Sequence, residues 1–318
     1  MATRVAILDD YQRVAARLVG DLGPGVELEA FPDHVVAEDA LVARLAPFEI
    51  VVAMRERTAF PARVLERLPS LRLLVTTGMG NASIDLDAAA RNGILVCGTR
   101  ILVHPTAELA LGLVLALARR IPQEDAALRA GIWQEHVGVS LRGRRLGLIG
   151  LGKLGRQMAA LGGALGMEVV AWSANLTREA AVGAGAAYLP LRELLETADV
   201  VSVHTRLSDR TRGLLGPDEL ALMKPTALLV NTSRGPIVDE AALVSALERR
   251  AIAGAALDVF DEEPLPPEHP LRTAPNTVLT PHIGYVADDN YRVFFDEVTE
   301  DISAFLAGAP VRALNEPG

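Results

Sequence analysis

The sequence predicts an α/β protein of two doubly wound domains, and three observations carry that prediction. Short, continuous apolar runs alternate with longer helical patterns along the chain, as strands buried on both faces of a parallel sheet alternate with the helices that cover it. At 318 residues, 50% of them hydrophobic, the chain is too long for one ordinary small domain and apolar enough to bury more than one core. Aromatic residues make up only 4% of it, which favours helices packed closely on a sheet over an aromatic-rich β-sandwich.

Taken in order, residues 4–8, 26–31, 49–54, 71–76 and 94–97 read as the strands of a first series, which ends near residue 98. A long helix begins around Pro105, where a missing N–H costs nothing in the first turn, and carries Leu109, Leu113, Ala116 and Leu117 at helical spacing. A second series follows, with strands at 145–149, 168–172, 200–204, 227–231, 253–257 and 278–279. After TPHIGY, the last helix places Tyr291, Phe294, Phe295, Val298, Ile302 and Phe305 on one stripe, fit to return to the first domain. The Pro-rich DEEPLPPEHP reads as a loop, and no repeat of 20 to 50 residues is visible.

Composition also sets limits. A net charge of −9 without a basic run argues against nucleic-acid binding, though a local anion site remains allowed. With Cys97 as its only cysteine the chain has neither an internal disulfide nor a Cys-based zinc site, which suits a reducing cytoplasm. Its start, MATRVAILDD, lacks the apolar stretch of a signal peptide, and no segment approaches the ~20 apolar residues of a membrane span. Metal-ligand spacing such as H-x-x-x-H is absent.

The segment RRLGLIGLGKLGRQMAALGGALGMEVVAWS sets Gly150, Gly152 and Gly155 in G-x-G-x-x-G spacing, with a strand pattern before and a helix pattern after. Gly150 permits the tight turn, Gly152 lets a pyrophosphate approach the backbone, and Gly155 allows close helix-to-strand packing. The phosphates then meet the free N–H groups of a helix N-terminus. A dinucleotide site is the expectation.

Past this fingerprint, NTSRG, DVFDEEP and TPHIG stand at the ends of apolar strands and offer Arg234, Glu263 and His282. A fingerprint, an Arg-Gly after a strand, Asp-Val-Phe with Glu-Pro, and Pro-His-Ile-Gly occur here in order. In that order, and across nearly its whole length, the chain resembles the D-isomer-specific 2-hydroxyacid dehydrogenases. The resemblance implies a flavodoxin-like substrate domain made from both chain ends, residues 1–98 and 288–318, with a Rossmann dinucleotide-binding domain, 99–287, inserted between them. It also implies hydride transfer between NAD or NADP and a small 2-keto or 2-hydroxy acid, a homodimer formed through the cofactor domain, and Arg234, Glu263 and His282 as the catalytic three. Glu263 precedes Pro264 as the family's glutamate does, while Asp261 and Glu262 are near competitors. The pattern TTGMGNASIDLDAA resembles the segment whose amides, here around Met79 and Gly80, hold the substrate carboxylate. Thr106 falls where the family contacts the nicotinamide and Asp258 where it holds the carboxamide. The cofactor-contacting set also takes in Lys153, Leu154, His204 and Thr232, although from its surroundings alone His204, like His34, His104, His136 and His269, reads as structural or superficial.

Chemically, hydride addition puts negative charge on the carbonyl oxygen, so a proton donor lowers the barrier. His282 is the expected donor, Glu263 would orient its ring and favour the imidazolium, and Arg234 would grip the carboxylate in a fork that lysine cannot reproduce. Two rival functions share the fold. Formate dehydrogenases pair the histidine with glutamine, against which Glu263 argues; nucleotide-sensing corepressors keep the catalytic residues, so motifs alone do not exclude them, and turnover of keto acids tells the two apart. For the substrate, Arg55 and Arg57 of MRERTAF follow a strand, and either one meets a second anionic group or both line a solvated loop. For the cofactor, the second strand ends at Ser173, where an NAD-selective site carries Asp or Glu. Ser173, Asn175 and Arg178 instead offer donors to a 2′-phosphate, so NADPH is expected to be accepted.

Overall fold

The computed structural model describes residues 2–317. They form two compact units, Met1–Leu102 with Val286–Gly318, and Val103–Tyr285. The first crossing falls at Leu102, a few residues beyond the last strand of the first unit, because the backbone there is tied to the final helix. Arg100 N donates to Glu297 Oε2 at 2.6 Å and Leu102 N to Asn290 Oδ1 at 2.9 Å.

In the first unit, β1 (Thr3–Ile7), β2 (Val26–Ala30), β3 (Ile50–Ala53), β4 (Leu73–Thr76) and β5 (Leu95–Gly98) form a sheet in the order β2-β1-β3-β4-β5. Every pairing is parallel, with Val5 opposite Ile50 and Val75 opposite Cys97. Strands β3, β4 and β5 are buried at every residue, which is why their sequences are apolar apart from Thr76 at the end of β4. The edge strand β2, VELEA, alternates between half-buried and exposed positions as its sequence alternates. The helix Asp288–Leu306 packs against β4 and β5 and buries Tyr291, Phe294, Phe295, Val298 and Ile302, so the apolar stripe does close the first unit. Asn290, Glu297 and Asp301 are buried on that helix too, which an apolar pattern cannot announce.

In the second unit, β6 (Arg145–Ile149), β7 (Glu168–Trp172), β8 (Ala187–Tyr188), β9 (Val200–Val203), β10 (Leu228–Asn231), β11 (Gly254–Leu257) and β12 (Thr277–Leu279) form an all-parallel sheet. Its order is β12-β11-β10-β9-β6-β7-β8. The reversal of strand order between β6 and β9 is a topological switch point, and ligands of such sheets bind outside the carboxyl ends of the strands there. Strand β8 is an addition to the expected set: two residues at the sheet edge leave no apolar run to read. The helix His104–Ala118, whose apolar face suits either a subunit contact or burial within its own chain, buries Leu113, Val114 and Leu117 in the core of its own unit against the helix Lys153–Ala164, β10 and β11. Large exposed apolar side chains occur just after it instead, at Ile121, Leu128, Ile132, Trp133 and Val137.

Candidate active site

The turn after β6 is built by glycine. Gly150 has φ +102°, and a Cβ there would lie 2.6 Å from the His204 carbonyl carbon; a Cβ on Gly155 would lie 2.1 Å from Gly150 O. The chain thus folds tightly between β6 and β9 and brings the helix Lys153–Ala164 against the strand end. Gly152 caps that helix, and a Cβ on it would meet nothing within 4 Å, so the space in front of the N–H groups of its first turn, where Lys153 and Leu154 lie, is open. Two buried polar atoms stand without a hydrogen-bond partner at neighbouring strand ends, Nδ1 of His204 after β9 and Oγ1 of Thr232 after β10. Nε2 of His204 lies 2.8 Å from Ser202 Oγ, and burial pushes the imidazole down to about 3, so the ring is neutral. An open helix N-terminus flanked by orphaned polar atoms fits a polar, phosphate-bearing ligand.

Beyond β7, Thr177 accepts from Ala180 N at 3.2 Å and starts the short helix Arg178–Val182. Ser173 is half-buried, Asn175 and Arg178 are exposed, and the Arg178 guanidinium lies over the Tyr188 ring at 5.3 Å. No carboxylate occurs on this loop before Glu179.

The three catalytic candidates all belong to the second unit. Arg234 follows β10 with an extended backbone and donates from Nη1 to Ser233 O at 2.7 Å. His282 has φ +53°, a left-handed conformation uncommon outside glycine. Its turn is held by Asp258, whose carboxylate accepts from Thr280 Oγ1 at 2.6 Å, Ile283 N at 2.8 Å and Gly284 N at 2.8 Å. Burial raises the Asp258 carboxyl above its ordinary value, against these bonds, which favour the charge. The Thr106 hydroxyl donates to Gly284 O at 2.9 Å and braces the same turn. The decisive contact is between His282 Nδ1 and Glu263 Oε2, at 2.5 Å. Of the consecutive carboxylates Asp261, Glu262 and Glu263, the third is the one that reaches the imidazole; its Oε1 accepts from Phe260 N at 2.9 Å. Tyr285, which the sequence reading passed over, packs edge-on against the His282 ring at 5.6 Å. Its place three residues after the histidine was the available signal.

In the first unit, Arg55 also has a left-handed backbone, φ +52°. Its Nη1 donates to Thr77 O at 2.8 Å and its Nη2 lies 3.3 Å from Glu56, so the guanidinium is braced on the turn after β4. Gly78 has φ +107°, a backbone conformation that residues with a Cβ rarely adopt, and the Arg55 guanidinium occupies the space where a Cβ would stand. Met79 is exposed, and a Cβ on Gly80 would meet nothing within 4 Å, so the backbone of this turn is accessible. Asn81 donates to Arg55 O at 2.7 Å and Thr76 Oγ1 at 2.9 Å, binding the ends of β3 and β4 together; nothing in its sequence context marks it. Arg57 turns away, donating to Asp9 O at 3.2 Å and lying over the Tyr11 ring. Among the described residues no group of three or more His, Cys, Asp or Glu side chains is placed to hold a metal, and no helix is long and apolar enough to cross a membrane.

Comparison with known proteins agrees with these segments. Residues 111–284 match the family described as D-isomer specific 2-hydroxyacid dehydrogenase, NAD binding domain. The chain is 42% identical, over 255 residues covering 77% of it and 76% of the relative, to a glyoxylate reductase of Aeropyrum pernix. It is 36% identical over 289 residues to a D-3-phosphoglycerate dehydrogenase of Archaeoglobus fulgidus, covering 89% of this chain but 54% of that protein. A crystal structure of a phosphoglycerate oxidoreductase from Vibrio cholerae matches with a TM-score of 0.91 at 37% identity, over 96% of this chain and all of that one. With the glycine turn, the parallel seven-stranded sheet and the identities of these relatives in agreement, the chain belongs to the D-isomer-specific 2-hydroxyacid dehydrogenase family.

Proposed function

We propose that the chain reduces a small 2-keto acid, of the glyoxylate or hydroxypyruvate kind, to its D-2-hydroxy acid with NAD(P)H, using His282 as proton donor. The observation that carries this reading is the 2.5 Å contact of His282 Nδ1 with Glu263 Oε2. With Nδ1–H given to Glu263, the transferable proton sits on Nε2, and the ring keeps its tautomer and orientation when that proton leaves. A reduced nicotinamide supplies the hydride to the keto carbon. The His282 proton meets the charge that develops on the carbonyl oxygen, and Arg234 takes the substrate carboxylate. Asp258 has about four acceptor positions, of which the His282 turn uses three, so one remains for the carboxamide. Gly150, Gly152 and Gly155 with Lys153 and Leu154 form the pyrophosphate turn, flanked by His204 and Thr232. The loop of Ser173, Asn175 and Arg178 supports acceptance of NADPH, since nothing on it repels a 2′-phosphate. On this reading the second unit is the cofactor domain and the first the substrate domain.

The test is oxidation of NADH and NADPH, followed by absorbance, across glyoxylate, hydroxypyruvate, pyruvate and phosphohydroxy keto acids, with formate and the oxidised cofactors alongside. Turnover of glyoxylate or hydroxypyruvate is expected. Tight cofactor binding without turnover of any acid would favour the corepressor-like alternative.

A further inference from the structure

We propose that Glu240 is a positioning residue for the Glu263–His282 pair, fixing the peptide between Phe260 and Asp261 on which the orientation of Glu263 depends. This inference rests on the assignment of that pair as the proton-donating system.

Glu240 opens the helix Glu240–Glu248, whose N-terminus already has a cap in Asp239, accepting from Ala242 N at 2.9 Å. A first-turn carboxylate that served only the helix dipole would stand in solvent. The Glu240 side chain is instead 13% exposed, and burial raises its carboxyl above the ordinary value. There it has two partners. Oε1 accepts the N–H of Asp261 at 2.7 Å, and Oε2 lies 3.2 Å from His269 Nε2. His269 Nδ1 accepts from Leu271 N at 3.3 Å, so the ring offers Nε2–H to Glu240 while held at both nitrogens.

The peptide gripped in this way bears on Glu263 through the peptide before it. The N–H of Phe260, one residue earlier, donates to Glu263 Oε1 at 2.9 Å and leaves Oε2 for His282. From beneath, the peptide rests on Gly235, the neighbour of Arg234, where a Cβ would lie 2.1 Å from the Phe260 carbonyl carbon. The two peptides share the Phe260 Cα, so displacement of the one held by Glu240 would shift the Phe260 N–H against Glu263 and loosen one of the two contacts that orient it. The need of a buried N–H for any acceptor does not explain Glu240. Asp261 is exposed and borders an open cavity of about 630 Å³ also lined by Arg212, Asp239 and His269, in which water would satisfy the donor. What the side chain adds over water is an acceptor held in place by its second contact, with His269, and so a fixed orientation for the peptide.

The experiment compares wild type, Glu240→Ala, Glu240→Gln and His282→Asn with glyoxylate and reduced cofactor, counting sites by cofactor fluorescence. In E240A, kcat per site should fall about tenfold, the KM for reduced cofactor should hold, and the solvent deuterium isotope effect on kcat should rise as proton transfer becomes limiting. E240Q keeps the Oε1 acceptor and should recover most of the loss. Wild-type kcat and isotope effect in E240A, or an equal loss in E240Q, would overturn the inference. If E240A does not fold, Glu240→Asp, with its carboxylate withdrawn by one methylene, carries the same expectation, and wild-type behaviour in it overturns the proposal equally. Wild-type kcat in H282N would instead overturn the assignment of the donor, so the two failures are distinguishable.

Discussion

A proton donor works best when one ring nitrogen is tethered and the other is left for the substrate. Glu263 provides the tether, and Asp258 holds the turn that presents the ring at φ +53°. Left-handed non-glycine residues are uncommon and gather at functional sites; Arg55, φ +52°, shares the conformation in the first unit with Asp9, Arg13 and Arg312, so there it does not by itself mark a site. His282→Asn should lower kcat by roughly 10²-fold or more while leaving cofactor affinity unchanged, as loss of a positioned proton donor does. Steady-state kinetics with a separate cofactor titration checks this, and a near-normal kcat would remove His282 from the role. Arg234→Ala should chiefly raise the KM for the keto acid, because a carboxylate clamp grips ground state and transition state alike; an unchanged KM would put carboxylate binding elsewhere. These side chains were legible in the sequence because each sits in a short segment at a strand end. The choice of Glu263 over Asp261 and Glu262 rested on resemblance, and distance now sets it beside the imidazole. The orphaned Nδ1 of His204 was not legible, since the burial that isolates it is a tertiary fact.

Among elements, the loop after β7 makes the sharpest prediction. Its usual acidic position is Ser173, its exposed donors are Asn175 and Arg178, and the stacking of Arg178 on Tyr188 keeps the guanidinium on the β8 side of the loop. NADPH should therefore be accepted by the wild type. Ser173→Asp should shift kcat/KM toward NADH by placing a charge where the 2′-phosphate would lie, and Arg178→Ala should weaken NADPH alone. The check is kcat/KM for both cofactors on all three proteins; strong NADH preference in wild type, unmoved by S173D, would show that this loop does not set the choice. The strands around the loop were readable because residues buried on both faces must be continuously apolar. Strand β8 was not, being two residues long, and the destination of the helix His104–Ala118 was not either: an apolar helix face looks the same whether it meets its own core or another chain.

At the scale of the whole chain, the first unit is assembled from both ends of the sequence, and a charge network centred on the buried Glu297 and Asp301 fastens them. Arg312, beyond the last helix, donates to Asp301 at 3.0 Å and to Glu300 at 2.7 Å, while Gly98 N donates to Arg312 O at 3.1 Å and Leu314 N to Val96 O at 2.7 Å. Arg100 pairs with Glu297 on the same helix. Asp301 is fully buried, and burial, offset only in part by Arg312, pushes its carboxyl from 3.8 up to about 7. In the unfolded chain the group loses its proton near 4, whereas in the folded chain it keeps it until about 7. Between those values the folded state binds more protons than the unfolded one, so this group's contribution to stability falls as pH rises through that window and levels off above it. The sign is opposite to that of a carboxylate whose value is depressed on folding. Asp301→Asn removes the titration, so the difference in melting temperature between wild type and D301N, followed by calorimetry from about pH 4 to about pH 7, should move against the wild type as pH rises. A difference that stays flat, or moves toward the wild type, would mean that Arg312 holds Asp301 ionised throughout, and that the network closes the unit as a salt bridge in the ordinary sense.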